Sequence, residues 1–576
     1  MSSRKPEAPA AGGEVRAGGG ILTSRVTGLA RDVVLGAFFG LSPAMDAYVF
    51  ALRLPNFFRN LMAEGALSAS LTPILAALVG AKNTKDVQRV ARGSLALVGI
   101  AALGLSIAGM LAAPWLARFV APGFDSDQQL LASRLVQITF PMAGMMILGA
   151  WCMSVLNSHR WFFVPQAAPA LWNLAQIAGV LVGARMGWEP LVVVLAWSTL
   201  VGSALQLLVQ FVPARRLLGW IRPRIERGYQ PIQEAVRRAG PAAAGQGLYQ
   251  VSGLVDAALA SFLLSGALSA LYFAQRIAQL PLAVVGAAVT QAALTEMSRE
   301  KDPAKLASHL EGASQKILWF TIPAAAAVIA GGDLIASAIF QRGAFTSSDA
   351  RDVHVILAAS ALSILAGPMA KLLAASFHSQ GNTAIPLRCA AWGLGTGVAV
   401  GASLMFFLES AGWGVRAAAG LVGGGGVGAS VQVALLARTL KSREFPSWRP
   451  RGQTVLRMAL AAVCLGAVFW FTGTVLGAVA DTGWERVALV AMAGVVGGGV
   501  YVGIAGTRVP KALLRGEHLA GGPARGPNGA DGAADDQDGK RRGGPPRRGG
   551  RRHQGSGGPA PMPKRKRRRV RARWTK

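Results

Sequence analysis

The sequence predicts an all-α, polytopic integral membrane protein of about 14 transmembrane helices. Three observations carry that reading: an apolar composition poor in charge, a succession of apolar runs each long enough to span a bilayer, and a regular alternation of positive charge between the connections. Of the 576 residues, 52% are hydrophobic and only 15% are charged. Soluble domains are about 45–50% apolar and about 25% charged. A soluble chain of this length would divide into several domains, each needing a charged surface. This chain has too few charges to supply one, and lipid is the solvent that does not require it.

A hydrocarbon core about 30 Å thick needs roughly 20 mostly apolar residues per helix. Candidate spans lie near residues 20–40, 44–79, 90–119, 130–156, 162–184, 190–212, 240–263, 267–297, 311–340, 353–377, 384–408, 414–437, 455–479 and 486–507. The second, eighth and ninth are long enough to be tilted, bent or extended into water. A transmembrane barrel would instead show alternating segments of about 10 residues, and these runs are longer and do not alternate.

Cytoplasmic loops carry the Lys/Arg excess of a membrane protein. Here the even-numbered connections hold it: Lys82, Lys85, Arg89 and Arg92 after span two, then Arg215, Arg216, Arg222, Arg224, Arg227, Arg237 and Arg238 after span six. Arg299, Lys301 and Lys305 follow span eight, and Arg438, Lys441, Arg443, Arg449, Arg451 and Arg457 follow span twelve. The odd connections 40–45, 122–129 and 265–270 hold no Lys or Arg, while Arg185, Arg342, Arg351, Arg416 and Arg486 are the exceptions. This alternation implies an even number of spans with both termini in the cytoplasm. The first residues lack the apolar core of a signal peptide, so insertion by the first span is expected.

A weak internal repeat accompanies the alternation. A shift of 223 residues lays Tyr48-Val49-Phe50-Ala51-Leu52-Arg53 on Leu271-Tyr272-Phe273-Ala274-Gln275-Arg276, and Leu71-Thr72 on Leu294-Thr295. Chance similarity between apolar helices is one explanation, and two parallel six-helix halves are the other. Transporters built from such halves bind substrate between them. The expected organisation is a disordered N-terminus (1–19), a first half (20–212), a basic cytoplasmic linker (213–239), a second half (240–440), two additional helices (441–508) and a disordered basic tail (509–576).

The tail is rich in Gly, Pro, Arg and Asp and cannot bury enough apolar surface to order itself. Its run Lys564-Arg565-Lys566-Arg567-Arg568-Arg569 suits anionic lipid headgroups, at about 1 kcal/mol per basic residue near the surface; no nucleic-acid partner is expected. Cys152, Cys389 and Cys464 and the six scattered His give neither a disulfide framework nor a metal-ligand spacing. No cofactor, no metal and no catalytic residue are therefore expected.

Chemistry is carried by charges inside the apolar spans, each of which costs at least about 2.5–3.5 kcal/mol at a helix centre. Span one holds Arg25, Arg31 and Asp32; span two holds Asp46, Arg53, Arg59 and Glu64; span eight holds Arg276. Planar guanidinium forks match phosphate oxygens bidentately. An arginine cluster at membrane depth therefore suggests an anionic headgroup rather than a cation. Arg25 is also placed to snorkel to the interface, and the acids are placed to pair with the arginines internally. Asp256 in span seven and Lys371 in span ten are candidates for ion coupling or for structural hydrogen bonding.

These residues carry a resemblance. Ser24-Arg25-Val26-Thr27-Gly28-Leu29-Ala30-Arg31-Asp32, then Asp46-Ala47, Leu54-Pro55-Asn56-Phe57-Phe58-Arg59 and Ala63-Glu64-Gly65-Ala66 resemble the N-terminal signature of the MurJ/MviN lipid II flippases, of the multidrug/oligosaccharidyl-lipid/polysaccharide exporter superfamily. Ile138-Thr139-Phe140-Pro141, Ala168-Pro169, Asn173, Tyr272-Phe273-Ala274-Gln275-Arg276, Gln279-Leu280-Pro281 and Phe340-Gln341-Arg342-Gly343-Ala344-Phe345-Thr346 extend it to roughly residues 20–440. The resemblance implies a monomeric lipid II flippase of the bacterial cytoplasmic membrane, working by alternating access in cell-wall biosynthesis. It makes Arg25, Arg31, Asp32, Arg59 and Arg276 headgroup-binding residues, joined by Arg53 from the arginine chamber. Asp46 and Glu64 become structural or gating residues, and the last two spans a groove for the polyprenyl tail. Gln275 and Asn382 stand where the family often has acids, which puts a cation site at Asn382 in doubt. The rival readings are another exporter of the superfamily and a membrane prenyl- or glycosyltransferase. The first is disfavoured, for a cationic drug, by the arginines. The second would need an acidic cluster for Mg²⁺, and the only adjacent acidic pair, Asp535-Asp536, lies in the tail.

Overall fold

The computed structural model describes residues 11–219, 222–226, 228–300, 302–442, 452–477, 480 and 482–506. Its helices follow the fourteen apolar runs in order. They are α1 (Ala11–Phe39), α2 (Pro43–Arg59, a π-helical turn Asn60–Leu67, then Ser68–Gly80), α3 (Thr84–Val120) and α4 (Ser126–Thr139 and Pro141–Ser158). Next come α5 (Phe163–Ala167 and Pro169–Met186), α6 (Leu191–Leu218), α7 (Gln230–Ala260), α8 (Ala267–Arg299) and α9 (Pro303–Phe340). The chain continues with α10 (Ser347–Ala359 and Ala361–His378), α11 (Ala384–Ser410), α12 (Gly414–Ala418 and Ala419–Ser442), α13 (Gly452–Phe471, with a π-helical turn Thr472–Leu476) and α14 (Gly483–Ala505).

Ten of these helices are long and apolar enough to cross a membrane, counted among the described residues. Helices α1, α2, α7 and α8 carry the charges Arg31, Asp32, Arg53, Asp256 and Arg276 within their apolar runs. Around them the other helices present apolar surface outward. On α3, Leu97, Ile100, Leu103, Ile107, Leu111 and Trp115 are all exposed at helical spacing, which makes a continuous stripe facing what must be lipid.

Two boundaries differ from expectation. Residues 11–19 were expected to be disordered, yet α1 begins at Ala11, because Ala, Glu and Arg extend an existing helix at little cost. The expected linker 213–239 is also shorter. Its ends belong to α6 and α7, and the connection 219–229 is pinned rather than loose. Arg89 and Arg92 of α3 both hold the Glu226 carboxylate, at 3.0 and 2.5 Å. The Tyr229 hydroxyl donates to Asp86 at 2.8 Å, and the Arg89 guanidinium lies over the Tyr229 ring at 4.2 Å. The two arginines hold the Glu226 carboxyl below its usual range, the hydrogen bond from Arg89 contributing most. The tail 509–576, the residues 1–10, and Arg227, Lys301, Arg443, Arg449 and Arg451 lie outside the described residues.

The face bearing the odd-numbered connections is interlocked. The Ala344 amide donates to the Ala37 carbonyl at 2.7 Å, and the Gly123 amide to Ser261 Oγ at 3.1 Å. Gly266, with φ +99°, turns the chain into α8 against Leu41; a side chain there would be strained in that conformation. Elsewhere the glycine content serves close packing. A Cβ on Gly424 of α12 would stand 2.2 Å from Gly401 Cα of α11, so these two helices touch backbone to backbone, as small residues allow in lipid.

The offset of 223 residues acquires spatial meaning here. It relates Asp46 to Ser269, and the Asp46 carboxylate accepts from the Ser269 amide at 2.7 Å and from its hydroxyl. It also relates Arg53 to Arg276, which line one chamber together. Both pairs lie where α2 meets α8.

Candidate functional site

On the other side of that interlocked face, two adjoining chambers of about 360 Å³ and about 320 Å³ open between α1, α2, α5, α7 and α8. Arg31 is central to the first. The sequence places it on the same helix as its counter-charge, and α5 and α8 complete its surroundings. Its guanidinium donates to Asp32 Oδ1 through Nε at 2.9 Å and through a terminal nitrogen at 2.5 Å. It also donates to Asn173 Oδ1 at 3.1 Å and to the Tyr272 hydroxyl at 3.0 Å, and it lies over the Trp172 ring at 4.9 Å. Arg31 and Asp32 are each 4% exposed. Such a pair is stable at depth because nearly every polar atom is satisfied.

Asp32 is shared. Its Oδ1 accepts from the Tyr272 hydroxyl at 2.6 Å, and its Oδ2 lies 3.5 Å from Arg276 Nε. The Arg276 side chain is 39% exposed and stacks on Tyr272 with its guanidinium carbon 4.7 Å from the ring centre. One carboxylate therefore serves two guanidiniums. The Arg31–Asp32–Arg276 group keeps one net positive charge, and Arg276 presents it to the cavity.

The remaining arginines add to that charge. Arg25 is exposed and lines the first chamber with Ser24 and Gly28. Arg59 lines both chambers and donates to Asn60 Oδ1 at 2.8 and 3.1 Å. Arg53 lines the second chamber and donates to the Gly253 carbonyl of α7 at 2.7 Å. The five arginines expected at the site thus converge on one pair of chambers, with Arg59 and Arg276 on the wall common to both.

Asp46 does not belong to this cavity. At 2% exposure it caps the N-terminus of α8, accepting from the Gly266 and Ser269 amides at 2.6 and 2.7 Å. A carboxylate suits unpaired amides at a helix start, and here it ties α2 to α8 within the interlocked face. The Glu64 side chain lies outside the described residues; its backbone is in the π-helical turn of α2. Asp256 and Lys371 open on a different cavity, although Asp256 lies within electrostatic reach of Arg53. They line a third cavity, about 270 Å³, between α7, α10, α11 and α12 together with Ser252 and Gln432.

Some site residues escape a search for charge. Trp172, Asn56, Asn60, Gln206, Gln250 and Gln279 line the two chambers, and Tyr272 and Asn173 bond to Arg31. The signal available for them was carboxamides recurring inside apolar spans, which a count of charges passes over.

The chain resembles known proteins over most of its length. The family model described as "Lipid II flippase MurJ" matches residues 35–482. A "Probable lipid II flippase MurJ" of Rhizobium tropici is 34% identical over 402 residues, covering 68% of this chain and 74% of its own. Another of the same description, from Rhizobium meliloti (strain 1021), is 32% identical over 413 residues, covering 70% and 76%. The solved structure "Lipid II flippase MurJ, inward closed conformation" matches with a TM-score of 0.71 at 22% identity, covering 87% of this chain and 100% of that one. An inward-facing multidrug resistance MATE family transporter of the MOP superfamily matches with a TM-score of 0.61 at 16% identity, covering 75% and 98%. At those identities the structures establish the fold.

Proposed function

The chain belongs to the lipid II flippase MurJ family, and from that premise we propose how its cavity handles the substrate. It is a transporter rather than an enzyme, a multi-pass protein of the bacterial inner membrane whose substrate is lipid II. In our reading Arg25, Arg31, Arg53, Arg59 and Arg276 replace the hydration of the lipid-linked diphosphate as it leaves water. Asp32 holds the cationic group together while the site is empty. The observation that carries this is the sharing of Asp32 between Arg31 and Arg276, which leaves a net positive charge facing the cavity.

All fourteen helices cross the bilayer in this reading, with both termini and the even-numbered connections in the cytoplasm. The cavity then opens inward and the face held by Asp46 is the closed outer gate. Helices α1–α6 and α7–α12 act as two halves rocking about the axis between α2 and α8. Asp256, with Lys371 nearby, carries the coupling ion. The groove beside α13 and α14 holds the polyprenyl chain, the protein works as a monomer, and the basic tail rests on anionic lipid.

Two experiments test this. Cysteines placed within 122–129 should label from outside and those within 219–229 only from inside; outside labelling of the second segment overturns the orientation. Depletion of the protein should leave lipid II on the inner leaflet, and wild-type chain supplied in trans should restore it to the outer one.

A further inference from the structure

The two chambers differ in chemistry although they share a wall. Asn56, Arg59, Trp172, Arg276 and Gln279 belong to both. Beyond that wall the first chamber contributes the charged group Arg25, Arg31 and Asp32. The second contributes carboxamides instead, Asn60, Gln250 and Gln275, and no carboxylate among the described residues lines it. Its one additional cation, Arg53, is already committed to the Gly253 carbonyl. Asn60 Nδ2 donates to Gln250 Oε1 at 2.9 Å, while Asn60 Oδ1 accepts from Arg59.

We propose that the carboxamide chamber is the sugar subsite, receiving an N-acetylated sugar whose diphosphate is gripped at the shared wall by Arg59 and Arg276. The assignment rests on the arginine reading given above. A carboxamide offers two donors and one acceptor without charge. It matches hydroxyls, which are both donor and acceptor, and the amide of an acetamido group, which is the same. A carboxylate in the same place would accept equally well from hydroxyls but would repel the neighbouring diphosphate. Phe57 also lines the chamber and offers a flat apolar ring to a sugar. At the shared wall the Trp172 indole N–H is buried without a hydrogen-bond partner among the described residues. A buried donor left unpaired is costly, and an acceptor on the ligand would relieve it. The volume, about 320 Å³, falls within the range of small-molecule pockets, about 300–1,000 Å³.

The test compares two ligands on the purified full-length protein: polyprenyl diphosphate bearing an N-acetylated amino sugar, and the bare polyprenyl diphosphate. The wild type should prefer the glycosylated ligand about tenfold, the yield of one or two net hydrogen bonds at about 1 kcal/mol each. The variant Gln250→Leu, whose side chain bonds to Asn60 and not to an arginine, should bring that preference to within about threefold while bare diphosphate binds as before. Gln279→Leu, at an exposed side chain where folding is not at stake, should lower the preference in the same direction. Equal loss of both ligands in these variants, or an undiminished preference, overturns the proposal. Arg276→Ala should weaken both ligands together. If it leaves bare diphosphate untouched while the leucine variants still lower the preference, the arginine reading fails and the sugar subsite stands.

Discussion

Asp32 and Asp46 sit on neighbouring helices, both almost fully buried, yet they belong to regions of opposite character. Asp32 is surrounded by side chains: two guanidiniums and a phenol, in a cavity with room beside them. Asp46 is surrounded by the backbone amides and hydroxyl at the start of α8, where the connections interlock. In the proposed reading the same carboxylate is a replaceable counter-charge in one place and a fixed cap in the other. A ligand phosphate can compete for the partly exposed Arg276 guanidinium, but it cannot reach amides locked into a helix terminus. What a buried acid does follows from its partners, not from its residue type or its depth.

The comparison breaks first at the arginines. Arg31→Ala and Arg276→Ala should each abolish flipping in a complementation assay, with the protein still present in the membrane by immunoblot. Asp32 keeps Tyr272 and one arginine in either variant, so accumulation should survive. Arg31→Lys keeps charge but loses the planar fork and should retain partial activity at most. If Arg31 serves only Asp32, the double change Arg31→Ala with Asp32→Ala should restore flipping; under the present reading it stays inactive.

The next largest effect should come from the cap. Asp46→Ala removes three hydrogen bonds to the start of α8, each to a charged acceptor, and should cost about 2–4 kcal/mol of the interlocked face, the outer one in the proposed orientation. A cysteine at position 41 should then react faster with an external thiol reagent, by tenfold or more, while Asp46→Asn, which keeps one acceptor oxygen, should show a smaller rise. Unchanged reactivity in Asp46→Ala would mean that the interlocked backbone holds this face without the carboxylate.

Asp256→Asn tests the third cavity. It should slow transport about tenfold, within the 1–3 kcal/mol usual for coupling between sites, and leave diphosphate binding intact. A loss of binding instead would move Asp256 into the arginine site.

Smaller still is the pinned connection. Glu226→Gln should slightly lower thermal stability at neutral pH. The carboxyl of Glu226 is depressed from its ordinary 4.5, so the wild type's advantage is complete above that pH and fades as the pH falls below it. A difference that persists well below pH 4.5 would exclude the charge as its source. Ending the chain after Arg515 should change flipping least of all, which the same complementation assay reads directly.

Much of the fold was legible because lipid imposes one requirement on every span. Apolar length marks the ten helices that face it. Helix α1 departs from that rule because it carries Arg25, Arg31 and Asp32 within its apolar run. The arginines were legible for the same reason: a guanidinium is conspicuous where charge is costly. The carboxamides were not, since Asn60 or Gln250 costs far less at depth and stands out only when the structure brings the two together. Nor was the shortness of the linker, because Glu226 meets Arg89 and Arg92 across a long separation that no local pattern encodes.

The sequence by itself determined the class of solvent and the all-helical, multi-pass character of the chain. Each is a property of composition or spacing along the chain. Only the tertiary structure decided that Asp46 would meet its own repeat partner Ser269, that Arg53 and Arg276 would share a chamber, and that Asp256 would lie in a different cavity. Those outcomes depend on which helix faces approach the axis, and a helix face acquires a neighbour only through packing.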